Sequence, residues 1–227
     1  MKQACALLAL GLFVGVGHAQ VAPTPADVAA YKGLLHAAAR GDVPQIKSLT
    51  AAGADVNARD DYARTPLHVA TYARQREAIG ALVKAGADLG AKERDRYDAV
   101  TIAAVADDTA TLKLLLQAGA SAKLVTSRYD GTALIAAAHL GHDGVVKMLI
   151  EAGAPLDHVN NLGWTALIEA IVLGNGGPRH IETLRALVQA GANVNLADRN
   201  GQTPLRLARA RGYVAMARIL EQAGAKT

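Results

Sequence analysis

Tyr129-Asp-Gly-Thr-Ala-Leu-Ile-Ala-Ala-Ala-His-Leu-Gly-His-Asp-Gly-Val-Val-Lys-Met-Leu-Ile-Glu-Ala-Gly-Ala-Pro155 contains two short helical patterns. Thr132 opens the first as an N-cap, its hydroxyl accepting from a first-turn amide. Leu134, Ala137 and Ala138 then fall on one helical face. Gly141 permits a tight turn. Val145, Val146, Leu149 and Ile150 line one side of the second run, which ends at Gly153, where a left-handed cap is easiest without a side chain. Such a pair cannot bury its apolar face alone and needs copies of itself on either side.

The copies are present. Ala-Gly-Ala recurs around Gly53, Gly86, Gly119, Gly153, Gly191 and Gly224, at spacings of 33, 33, 34, 38 and 33. Thr65-Pro66-Leu67-His68 opens one unit and Thr203-Pro204-Leu205 another, while Gly53-Ala54-Asp55-Val56-Asn57-Ala58 and Gly191-Ala192-Asn193-Val194-Asn195 close two. These motifs resemble the ankyrin repeat family. The resemblance implies an all-α solenoid of about six helix–turn–helix repeats joined by β-hairpin-like fingers. The repeats are expected over about 31–60, 61–93, 94–126, 127–160, 161–199 and 200–227.

The start of the chain reads differently. Met1-Lys2-Gln3 is a short basic region, Ala4 to Val16 is apolar, and Gly17-His18-Ala19 is a small-x-small cleavage site. Residues 1–19 therefore read as a secretory signal peptide. A membrane anchor would need about 20 apolar residues, more than this run holds. Cleavage before Gln20 would remove the only cysteine, Cys5, so the mature chain could make no disulfide, which suits a periplasmic or secreted protein. Loss of Lys2 lowers the basic count from 24 to 23 against 20 acidic residues, leaving a net charge of +3, no nucleic-acid signature in itself. Residues 20–30, with Pro23 and Pro25, read as a linker in which Ala26 to Tyr31 begins a helix.

Two repeats depart from the pattern. The third opens on Asp98-Ala99-Val100-Thr101, and Asp107 replaces its inter-helix glycine. The fifth carries an insertion within Gly174-Asn175-Gly176-Gly177-Pro178-Arg179, expected to form a flexible surface loop. The last repeat carries Arg206, Arg209, Arg211, Arg218 and Lys226, the polar outer face a terminal repeat needs.

No catalytic constellation is visible. There is no Gly-Lys-Ser/Thr phosphate loop and no Gly-x-Ser-x-Gly elbow. His68 lies inside the repeat motif and reads as structural. His139 and His142 are three apart, but a metal would need further ligands. The expectation is a non-enzymatic protein with no cofactor and no metal. The alternatives are an accessory or hydrolytic site near the repeat-five loop, using Arg179 or His180, and a small-ligand or metal carrier.

Family resemblance implies that finger tips and the ends of the first helices meet a partner. Tyr62, Tyr97, Tyr129 and Trp164 sit in successive fingers, and Tyr72, Val105, His139, Leu140, Val172 and Leu173 at the helix ends. Exposed contiguous apolar residues commonly mark interaction sites. These ten are the candidate partner-binding residues, expected to form a ladder along a concave face. The expected partner is another protein rather than nucleic acid. A monomer without stable membrane insertion after signal cleavage is expected.

Overall fold

The structure, a computed structural model, describes residues 21–226. The expected signal peptide lies outside the described residues. After α1 (Pro25–Ala30) come six helix pairs: α2 (Gly33–Arg40) with α3 (Val43–Ala51), α4 (Pro66–Tyr72) with α5 (Arg76–Lys84), and α6 (Ala99–Val105) with α7 (Thr109–Gln117). Then follow α8 (Ala133–Leu140) with α9 (Asp143–Glu151), α10 (Ala166–Val172) with α11 (Pro178–Gln189), and α12 (Pro204–Ala210) with α13 (Val214–Gln222). First helices pack on first helices and second on second, giving two parallel rows.

The sequence explains each joint. Thr65, Asp98, Thr132, Thr165 and Thr203 cap the first helices through their side-chain oxygens. Asp98 thus does the work of threonine in repeat three. The Ala-Gly-Ala glycines all adopt positive φ, ending the second helices. The first row meets through small buried residues such as Ala70, Ala103, Ala104, Ala137, Ala138 and Ala170; the second meets through Ile79, Leu82, Leu112, Leu115, Leu149 and Leu187.

Between repeats, five fingers share one device. Asp60, Glu93, Ser127, Asn160 and Asp198 each accept from the backbone amides two and four residues on, at 2.8–3.3 Å. This pairing closes a tight turn whose fourth residue adopts positive φ: Ala63, Arg96, Asp130, Gly163 and Gly201. Adjacent fingers are bonded to one another, as from the Arg94 amide to the Tyr62 carbonyl and from the Asn161 amide to the Tyr129 carbonyl. Among the described residues, only the repeat-four finger has regular antiparallel strands, β1 (Val125–Thr126) and β2 (Gly131–Thr132).

One expectation is corrected, at the repeat-five insertion. The helix expected to begin at Ala26 within the linker is present as α1, opened by a Thr24–Asp27 capping box and tied to the stack by Arg64. Arg64 is 1% exposed, pairs with Asp27 at 3.1 Å and Asp60 at 2.6 Å, and donates to the Val21 carbonyl. The repeat-five insertion is packed rather than free. His180 is buried against the His139 carbonyl at 2.9 Å, and the Tyr213 hydroxyl donates to the Gly174 carbonyl. Asp107 and Asp108 make ion pairs between repeats. Asp107 takes Arg179 at 2.8 Å from two repeats away, and Asp108 caps α7 while pairing with Arg76 at 3.0 Å.

Candidate functional site

His68 shows how the repeat uses its histidine. Its Nδ1 accepts from the Thr65 amide at 3.0 Å, so Nε2 carries the proton and donates to the Ala91 carbonyl at 3.0 Å. Burial, against those carbonyls, pushes the imidazole down to about 4. It is a neutral cross-link between α4 and the next finger. His142 Nδ1 likewise bonds the Ala104 carbonyl. Among the described residues, no group of three His, Cys, Asp or Glu side chains is placed to hold a metal. No described helix is long and apolar enough to cross a membrane.

The ten candidate docking residues separate into two groups. Those of the N-terminal half are part of the packing. Tyr62 is half-buried between the guanidinium groups of Arg64 and Arg94, 4.5 and 4.7 Å from its ring centre. Tyr72 is half-buried, and burial together with nearby Glu93 raises its phenol above the usual range. Val105 is half-buried. Tyr97 corrects the sequence reading. It is 5% exposed, and burial, with Asp95 and Glu93 close by, pushes its phenol up to about 12. It immediately precedes the cap and points inward, so it offers no docking surface.

The C-terminal group is the more exposed. Tyr129 is 50% exposed at its finger tip, while Leu140 and Leu173 are 40% and 39% exposed at the ends of α8 and α10. His139 is exposed, and Val172 and Trp164 are half-buried. Val159 and Leu162, in the finger between them, are also exposed and were not singled out from the sequence. Of the six large apolar residues exposed among those described, five lie in α8, α10 and the fingers that precede them, and the sixth is Val214 in α13. Grouping of this kind distinguishes a docking face from scattered surface leucines.

Beneath it is a polar group that sequence reading missed. Glu169 on α10 is 4% exposed; its Oε1 accepts from Asn160 Nδ2 at 2.8 Å. Its Oε2 faces His139 Nδ1 at 3.4 Å. The signal was available: Glu169 occupies the cap-plus-four position where α4, α6, α8 and α12 carry Val69, Ile102, Ala136 and Leu207, and α2 carries His36.

Stacked helix pairs, with capped first helices and bonded fingers between them, define a repeat scaffold. Its family is established by sequence and structural likeness together. A family model described as ankyrin repeats (3 copies) matches residues 100–198, and another, ankyrin repeats (many copies), matches 34–83 and 178–221. The ankyrin repeat protein YahD of Escherichia coli (strain K12) is 35% identical over 192 residues, covering 84% of this chain and 95% of that one. An ankyrin repeat domain from Acinetobacter baumannii AYE superposes with a TM-score of 0.81 at 45% identity, covering 85% and 98%. The ankyrin repeat domain of Bcl-3, a member of the IκB family, gives a TM-score of 0.76 at 28% identity, covering 87% and 88%. The chain belongs to the ankyrin repeat family. Ankyrin repeats generally serve as non-enzymatic scaffolds for protein–protein interaction.

Proposed function

We propose that this protein is an exported scaffold that docks another protein on the first-helix and finger face of repeats four and five. The observation that carries the reading is the clustering of Tyr129, Leu140, Val159, Leu162 and Leu173, each at least 39% exposed, on neighbouring elements. Clustered apolar exposure costs solubility unless a partner covers it. The small first-helix residues against larger second-helix ones favour curvature toward this face, which makes it the concave side. Tyr and Trp at its edge suit an interface, where such residues often dominate binding. The signal-peptide pattern read in residues 1–19 supports a location outside the cytoplasm, in the periplasm or beyond.

The test is affinity capture from an envelope extract with the mature chain. Leu140→Asp, Leu173→Asp and Trp164→Ala should each release a captured protein that Arg218→Ala retains, with melting temperatures close to the parent's. Capture unaffected by all three would remove this face from consideration. Sequencing of the protein from fractionated cells should begin at or near Gln20; intact Met1 in the cytosol would refute export.

A further inference from the structure

We infer that Glu169 is the anchor for a basic side chain, an arginine or lysine flanked by apolar residues, on the partner segment that docks between α8 and α10. The inference rests on the docking face proposed above. Its starting point is a carboxylate with one oxygen served and one not. Asn160 is held by two amides on its Oδ1, from Leu162 and Trp164, and so presents its Nδ2 to Glu169 Oε1. Oε2 is shut from water and receives no hydrogen bond among the described residues. Only His139 stands before it, at 3.4 Å, and that contact is an ion pair only when the imidazole is protonated.

A buried acceptor without a donor is costly, and native proteins carry few of them. Arg128 pairs with Asp95, Arg179 with Asp107 and Asp143, and Lys147 with Asp143, while Arg199 lies against Gly163; none of them donates to Oε2. The missing donor is therefore external. The way in is also present. Along the cap-plus-four row, Val69, Ile102 and Glu169 are buried, whereas His36 and both neighbours of Glu169, Ala136 and Leu207, are half-buried. Ala136 carries only a methyl group, and His139, which faces the carboxylate, is exposed. Leu140 and Leu173 are exposed one helical turn on from Ala136 and Glu169, which sets the apolar neighbours of the incoming cation.

Charge complementarity favours a guanidinium over a neutral group. The carboxylate has already lost its water on folding, so an arriving cation meets it in a medium where attraction is weakly screened. A planar guanidinium can also serve Oε2 with more than one N–H.

Trp164 is the only tryptophan and reports on the site by fluorescence. The probes are a short capped peptide with one central arginine between leucines, and the same peptide with neutral citrulline. The arginine peptide should bind about tenfold or more tighter, the amount one charge-assisted hydrogen bond supplies. Glu169→Gln keeps an acceptor for Asn160 and should bind both peptides alike, with an unchanged circular-dichroism spectrum. His139→Ala should keep the arginine preference. Equal binding of the two peptides to the parent chain, a preference that survives Glu169→Gln, or no binding of either overturns the anchor. If the anchor fails while Leu140→Asp and Leu173→Asp still abolish partner capture, the docking face stands without it.

Discussion

Arg64→Met isolates what holds the N-terminal end of the stack. The side chain is 1% exposed and joins three parts of the chain: Asp27 in α1, Asp60 in the first finger, and the Val21 carbonyl. Breaking a buried ion pair from one side costs about 3–5 kcal/mol. The lower end applies, about 3 kcal/mol by the same reasoning, because Asp27 is about a quarter exposed and Asp60 keeps the Tyr31 hydroxyl at 2.7 Å and two amides. Felt by the whole molecule, that would lower the melting temperature by roughly 6–12 °C. A solenoid end can open alone, however, so much of the loss should appear as local fraying. Hydrogen exchange should show early labelling of α1 and α2 while α8 and α10 keep their protection. Acid adds a second readout. Burial opposes ionisation of Asp60, but Tyr31, the Arg64 amide and the guanidinium outweigh it and hold the carboxyl below its usual range. A carboxyl lowered on folding stabilises fully above about pH 3.9 and loses that contribution as pH falls through the folded value. The parent should therefore shed its N-terminal cap in acid below about pH 4, and Arg64→Met should show a shallower acid slope. Parent-like protection of α1 and α2 in the variant, with a melting point within about 2 °C, would refute the reasoning.

Ala63 holds φ at +57° in a finger turn, so Ala63→Gly should raise the melting temperature by up to about 2–4 °C, measured by circular dichroism. His68 binds its proton less readily folded than unfolded, so stability is intact above about pH 6.5 and falls as pH drops toward 4, by about 3 kcal/mol in all. Denaturant titrations across that range should show the slope, and His68→Gln should flatten it. Gly141 has φ +67°, and a Cβ there would lie 2.8 Å from the His180 ring; Gly141→Ala should cost about 2 kcal/mol or more and expose the repeat-five insertion to proteases.

The repeat architecture was legible in the sequence because it rests on local chemistry repeated at a fixed period. Threonine caps, alanine-rich first helices and the Ala-Gly-Ala stops each act within a few residues, and Asp98 could be read as a cap for the same reason. The finger device was written there too, as an oxygen-bearing side chain at 60, 93, 127, 160 and 198, but the four residue types it uses disguise it. Exposure was not legible. Tyr97 and Tyr129 both stand in fingers just before a first helix, yet one is buried and the other open, because they differ in place: Tyr97 directly precedes the cap, Tyr129 lies at the turn. Nor could spacing show that Arg64 folds the N-terminal segment onto the stack, or that Arg179 reaches Asp107 across 72 residues. Those contacts, and the carboxylate of Glu169 facing His139, depend on which repeats become neighbours and how their side chains meet, which only the assembled tertiary structure decides.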